Sequence, residues 1–223
     1  MLDFNVNEPI VLAITGASGT QYGLSLLEFL LEANHRVDLI FSKNALLVAK
    51  LELDIDWTKL NAQELKFALV EYIFVTNRNE KRSSITEEQL ASIKNSLNIW
   101  QEENIAASVA SGSYRVSGMI VSPCSMGTLA HIAMGTSHNL ISRAADVMLK
   151  ERKKLILVVR ETPFSTIHLR NMLSLSEAGV IILPAIPAFY YRPHSLQDQI
   201  DFITGKTLDS FGIDSALFKR WNT

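Results

Sequence analysis

Cysteine is almost missing from this chain: Cys124 is the only one in 223 residues. A single thiol excludes an intramolecular disulfide framework and leaves no Cys-x-x-Cys pair for zinc. No apolar run reaches the ~20 residues of a membrane-spanning helix. Blocks of one charge sign are missing too: 21 Lys and Arg stand against 23 Asp and Glu, a net charge of −2. A nucleic-acid surface needs grouped Lys and Arg to displace counterions, so that class of partner is excluded. The five histidines show no His-Glu-x-x-His or other tight spacing, and no metal site is expected. Met1-Leu2-Asp3-Phe4 runs toward the first apolar stretch without a basic region or cleavage site, so the expected compartment is the cytoplasm.

What remains is a globular composition, 48% apolar and 20% charged, long enough for one sizeable domain over residues 1–223. Mean hydropathy is +0.14, high for a soluble monomer. Either a Leu/Ile-rich core or apolar surface buried between subunits accounts for it, and the second is the reading adopted.

Strand and helix signals alternate along the chain. An apolar run over 10–15 ends at Gly16-Ala17-Ser18-Gly19, and Leu24, Leu27, Leu30 and Leu31 give a helical period over 21–33. A strand over 37–41 and a short helix over 43–51 complete a βαβ opening. Residues 52–115 read as an elaboration of the domain. It holds a strand over 72–75, the polar segment Asn77-Arg78-Asn79-Glu80-Lys81-Arg82, and a helix over 86–100. Thr86-Glu87-Glu88-Gln89 is a capping box for that helix. A strand over 118–121, stopped by Pro123, precedes helices over 125–134 and 139–150. The Leu/Ile/Val run over 155–159 suits a strand covered on both faces. A helix over 166–178 ends at Gly179, a strand over 180–183 at Pro184, and a last helix spans 196–203. The pattern predicts a Rossmann-like three-layer α/β/α fold around a mostly parallel sheet.

Ligands of open parallel sheets bind beyond the carboxyl ends of the strands. The Gly16–Gly19 turn opens a helix there, where free N–H groups and the dipole favour a phosphate and Ser18 adds a hydroxyl. A plain strand–helix turn is the alternative. At Ser125 a second helix opens, with Thr128 three residues on, so that two hydroxyls can converge on one acceptor or merely cap the helix. Arg143 and Lys150 lie two turns apart on one helix face, a cation pair or an ordinary basic surface. Arg160-Glu161, two charges directly after the most apolar strand, point to a cleft. Cys124 reads as a small buried residue rather than a nucleophile.

Taken together, Thr15-Gly16-Ala17-Ser18-Gly19, Gln21-Tyr22-Gly23 and Pro123-Cys124-Ser125-Met126-Gly127-Thr128-Leu129 resemble the UbiX family of flavin prenyltransferases. Asn139-Leu140-Ile141-Ser142-Arg143-Ala144-Ala145-Asp146, Leu149-Lys150-Glu151-Arg152 and Val159-Arg160-Glu161-Thr162-Pro163-Phe164 extend the likeness, which is thinnest over 52–114. The family lies within the superfamily of flavin-containing cysteine decarboxylases. The resemblance implies that reduced FMN is alkylated at N5 and C6 by dimethylallyl monophosphate without a metal. The prenylated FMN would serve a UbiD-type decarboxylase in ubiquinone biosynthesis or aromatic acid decarboxylation. It assigns Gly16, Ala17, Ser18, Ser42, Ser125, Met126, Gly127, Thr128 and Arg160 to FMN. Arg143, Lys150, Tyr190 and Lys206 go to the donor phosphate, and Ser18, Glu52 and Glu161 to proton handling. Trp221 packs near the active site, and the expected assembly is a homo-dodecamer. Lys206 stands where some members have Arg; it keeps the charge without the bidentate fork. Two other readings share the flavin site: an FMN-dependent cysteine-type decarboxylase, and a flavin-binding subunit without catalysis.

Overall fold

Four central strands of unbroken burial set the architecture. The computed structural model describes residues 8–76 and 86–221; the polar segment 77–82 lies outside them. The strands are β1 (Ile10–Ile14), β2 (Val37–Phe41), β3 (Leu97–Gln101), β4 (Gly118–Cys124), β5 (Leu155–Val159) and β6 (Ile181–Pro184). They form one sheet in the order β3-β2-β1-β4-β5-β6, and every pairing is parallel. Every residue of β1, β2, β4 and β5 is buried, as both-face coverage by helices requires.

Helices α1 (Thr20–Glu32), α2 (Lys43–Leu53), α3 (Ala62–Glu71), α4 (Glu87–Ser96) and α8 (Leu196–Phe211) contribute to one face, whose core includes Leu12, Leu27, Leu39, Leu69 and Phe211. Helices α5 (Met126–Ala133), α6 (Leu140–Lys150) and α7 (Thr166–Glu177) cover the other, around Val121, Leu129, Ala144 and Leu157. The three layers are those expected of a Rossmann-like fold. Strand order reverses between β1 and β4, so a crevice opens there at the carboxyl edge.

Four local readings change. Residues Tyr72–Thr76 form a π-helical turn continuing α3, not a strand; that turn buries Ile73 and Phe74 together on the core. The helix that opens at Thr86 stops at Ser96, and Leu97–Gln101 becomes β3, in register with β2 from Val37↔Leu97 to Phe41↔Gln101. Pro123 does not stop β4, which runs to Cys124. Its carbonyl accepts from the Thr15 amide at 3.3 Å and hydroxyl at 2.8 Å, so the missing N–H leaves the β1–β4 side of the sheet intact. The last helix continues past Ile203 to Phe211. Gly205 lies within it, where a Cβ would come 2.6 Å from the Phe218 ring.

The capping box at Thr86 is present. Helix α7 ends as expected: Gly179 is left-handed at φ +90°, and Val180 and Gly179 donate to the carbonyls of Leu175 and Ser176 in a Schellman arrangement.

Candidate active site

Three helices aim their N-termini into one cleft at the carboxyl edge. They are α2, α5 and α6, capped by the side chains of Ser42, Ser125 and Asn139. The cleft has a volume of about 550 Å³, and Gly16, Ser42, Ser125, Gly127, Thr128 and Asn139 line it. The α5 N-terminus there favours an anion, whereas those of α2 and α6 already donate to Glu102, the Lys43 amide to its carboxylate and the Leu140 amide to its carbonyl. The Ser125 hydroxyl donates to that of Thr128 at 3.1 Å and caps the helix by accepting from the Thr128 amide at 3.3 Å, so the two hydroxyls are neighbours at the cleft wall. Gly16 passes so close to α2 that a Cβ there would sit 2.6 Å from the Cβ of Asn44. Thr15 bolts the two sides of the crevice together: its hydroxyl accepts from the Ser125 amide at 2.8 Å. Ala17 and Met126 are buried beside these groups.

The turn before α1 works differently from its sequence reading. The Gly19 and Thr20 amides donate to the Glu52 carboxylate at 2.8 and 2.9 Å, so a side-chain anion already holds that helix N-terminus. Burial pulls the Glu52 pKa up, but hydrogen bonds from Ser18, Thr20 and Gly19 outweigh it and set it below the ordinary value. The predicted partners Ser18 and Glu52 are thus in contact. Because the folded pKa is depressed, their contribution to stability is present above about pH 4.5, the unfolded value, and is lost as pH falls through the folded one. A Glu52→Gln protein should therefore show a flatter loss of Tm than its parent below about pH 4.5. Parallel acid limbs in a thermal series would contradict this.

Arg160 and Glu161 line a second cavity of about 330 Å³ with Phe164, Pro184, Ala185 and Ile186. Arg160 also reaches toward α1. Burial raises the Tyr22 pKa, and the Arg160 charge partly offsets it. Tyr190 meets Trp221 edge-to-face at 5.2 Å within a cluster that includes Tyr191 and Phe202. Lys206 is exposed on α8 one turn beyond Phe202, on the same helix face. Cys124 is fully buried, and burial pushes its thiol pKa far up.

Arg143 and Lys150 stand elsewhere. Arg143 donates from Nε to the Ala110 carbonyl at 3.1 Å and from Nη1 to Asp146 at 2.7 Å. Lys150 pairs with Glu151 and sits against the Ser111-Gly112-Ser113 turn, where a Cβ on Gly112 would come 2.7 Å from its ammonium. Lys150 closes α6 just before the amino end of β5, whereas Arg160 follows the carboxyl end. Five residues at ~3.3 Å each separate the two levels by about 17 Å. Lys150 is thereby set well apart from Arg160 within one copy, while Arg143, one turn after the Asn139 cap, lies nearer the cleft end of α6.

Among the lining residues without an assigned role in the sequence, Glu102 and Asn139 stand out. Glu102 accepts from the Lys43 amide at 2.7 Å and from Asn139 Nδ2 at 2.9 Å, bridging the starts of α2 and α6. It follows β3, the strand hidden inside the expected helix. Asn139 was legible only as a helix start.

A family model described as Flavoprotein matches residues 3–208. A flavin prenyltransferase UbiX from Alkalihalophilus pseudofirmus is 41% identical over 216 residues, 97% of each chain. The chain belongs to the UbiX flavin prenyltransferase family. The mitochondrial flavin prenyltransferase PAD1 of Saccharomyces cerevisiae is 41% identical over 95% of this chain and 74% of its own. Among solved structures, AnUbiX (PadA1) in complex with FMN and dimethylallyl pyrophosphate superposes with a TM-score of 0.77. It is 39% identical and covers 97% of this chain and 98% of that one. A dodecameric FMN-dependent UbiX-like decarboxylase from Escherichia coli O157:H7 gives 0.75 at 36% identity, covering 96% and 100%. The FMN-dependent cysteine decarboxylase TvaF, at 14% identity and 0.52, shares the fold.

Proposed function

We propose that this chain is a flavin prenyltransferase. It joins the dimethylallyl group of dimethylallyl monophosphate to N5 and C6 of reduced FMN, releases phosphate, and supplies prenylated FMN to a UbiD-type decarboxylase. The observation that carries this reading is the nearly full-length likeness, in sequence and in fold, to a UbiX protein solved with FMN and a dimethylallyl donor. The cleft fits the flavin. Its volume is in the range of small-molecule sites, and the α5 N-terminus with the Ser42, Ser125 and Thr128 hydroxyls suits the flavin phosphate.

FMN supplies a nucleophilic nitrogen when reduced and bound. The chain's residues do the rest. Arg160 and Glu161, which line the second cavity, are the groups we assign to the breaking allylic C–O bond. Guanidinium and ammonium groups stabilise charge growing on a departing phosphate, and Glu161 is placed to pass it a proton. The aromatic group around Tyr190 and Trp221 keeps water from the allyl carbon and offers π-faces to its developing positive charge. Protons leaving the flavin have the Ser18–Glu52 pair as acceptor. Arg143 and Lys150 reach the donor from a neighbouring copy, in a dodecamer like that of the Escherichia coli relative. The protein works in the cytoplasm.

The test is anaerobic incubation with reduced FMN and either the monophosphate or the diphosphate donor, followed by mass spectrometry of the released flavin. The prenylated mass should appear with the monophosphate. FMN binding without adduct from either donor would end the proposal. A second measurement checks the orientation of the flavin: the Ser125→Ala, Thr128→Ala double variant should bind FMN about tenfold more weakly or worse, each lost charge-assisted bond contributing about 1.5–3 kcal/mol. Riboflavin, lacking the phosphate, should bind both proteins alike; equal losses for the two flavins would place the phosphate elsewhere.

A further inference from the structure

One side chain in the middle of the sheet has no part in this chemistry and breaks the rule of its surroundings. Asp38 is fully buried within β2, between Val37 and Leu39. Among the described residues, no Lys, Arg or His is bonded to it. Its Oδ1 accepts from Asn98 Nδ2 at 3.2 Å and from Trp100 Nε1 at 2.9 Å, and its Oδ2 from the Tyr114 hydroxyl at 2.9 Å. A buried carboxyl held only by neutral donors is expensive to desolvate.

The three donors are not equivalent. Asn98 and Trp100 belong to β3, which the backbone ladder already fixes to β2: Asn98 is the register partner of Asp38, and Trp100 the next on that face. Tyr114 comes from outside the sheet. It ends a closed turn in which its amide donates to the Ser111 carbonyl at 3.2 Å and the Ser111 and Ser113 hydroxyls meet at 2.8 Å. On this turn rest the two cations of α6: Arg143 through the Ala110 carbonyl, Lys150 against Gly112. Burial first, then the hydrogen bond and charge of Asp38, push the Tyr114 pKa up to about 12, with only the Arg36 charge opposing. The phenol therefore stays a donor across the working pH range.

We infer that Asp38 is a positioning residue: through Tyr114 it fixes the Ser111-Gly112-Ser113 turn, and with it the placement of Arg143 and Lys150 toward the donor phosphate. This rests on the donor reading given above. It assigns donor affinity, not flavin affinity, to a carboxyl that touches neither.

The test measures dimethylallyl monophosphate affinity by calorimetry on the FMN-loaded, full-length oligomer, with Tm alongside. Tyr114→Phe and Asp38→Leu should each weaken the donor about tenfold and leave FMN affinity unchanged. Asp38→Leu also strips the Asn98 and Trp100 donors of their acceptor and should lower Tm, whereas Tyr114→Phe keeps the β2–β3 bonds and should weaken the donor with a smaller fall in Tm, a split that plain loss of structure cannot produce. Asn98→Ala removes a bond from the same carboxyl but not the one to the turn. Asp38→Asn lets the amide donate to the Tyr114 oxygen. Both should keep donor affinity within about twofold of the parent. If Tyr114→Phe and Asp38→Leu bind the donor as the parent does, or if Asn98→Ala weakens it equally, the inference is overturned. A parent that binds FMN but no donor overturns the donor reading first, and this inference with it.

Discussion

Arg143→Ala and Arg160→Ala proteins, each expected to lose about two to three orders of magnitude in turnover, should regain activity when co-expressed as mixed oligomers. The reason is geometric. Arg160 follows the carboxyl end of β5, while Arg143 and Lys150 belong to a helix that ends at the level of its amino end and are directed at the 111–113 turn. We expect a donor phosphate to meet Arg160 of one copy and Arg143 and Lys150 of another, because within one copy Arg143 is turned to the Ala110 carbonyl and Asp146 and Lys150 closes the far end of α6. A site built from the α6 of one copy and the β5 end of another draws its halves independently. In an equal mixture about a quarter of such sites would receive both arginines intact. Turnover near a quarter of the parent value, in oligomers shown by native mass spectrometry to be mixed, is the expected result. Mixed oligomers as inactive as either variant would mean that both arginines act within one chain, and the shared site would have to be abandoned.

That separation also explains what the sequence could and could not show. The order of strands and helices was legible because β1 and β5 are apolar throughout, β2 and β4 are mostly so, and helices begin at recognisable caps such as Thr86 and Asn139. The edges were not. Strand β3 is an edge strand only partly buried, and it follows α4 with no Gly or Pro between them. Leu90, Ile93 and Leu97 keep a helical spacing through the point where the chain straightens, so periodicity alone could not find the break. Residues Tyr72–Thr76 misled in the opposite direction. Aromatic and β-branched side chains argue for a strand, yet the demand to bury Ile73 and Phe74 side by side is met by a wider helical turn. Helix α8 shows a third failure. It was expected to end at Ile203 but runs to Phe211, and Gly205 within it allows the close approach of Phe218.

The site follows the same division. Ser42, Ser125 and Thr128 could be found because a hydroxyl residue just after an apolar strand is a local pattern. Glu102 could not, since it depends on the strand that periodicity concealed. The Gly16–Gly19 turn looked like a free N-terminus because Glu52, which takes its amides, lies more than thirty residues away in sequence. Asp38 is the same kind of case. An isolated Asp in an apolar run gives no hint of Trp100 or Tyr114, which only the sheet and the turn after it bring near.

Glu161→Gln should produce the other large loss, and its size should depend on the donor. Phosphate leaves poorly as a trianion, so a monophosphate donor gains much from a proton delivered as the C–O bond breaks. General acid catalysis of this kind contributes about 10²–10⁴ in rate. The glutamine side chain keeps the shape and can still accept the 2.9 Å hydrogen bond from the Thr162 amide, but it has no proton to give. FMN affinity and oligomeric state should therefore be unchanged while turnover with dimethylallyl monophosphate falls by about two orders of magnitude. With the diphosphate the departing group is already stabilised by its second phosphoryl unit, and the same substitution should slow the reaction less. Single-turnover rates with both donors separate proton delivery from binding, because a residue that merely holds the donor would weaken both in proportion. An equal loss for the two would leave Glu161 as a binding group and move the acid to another residue of the site.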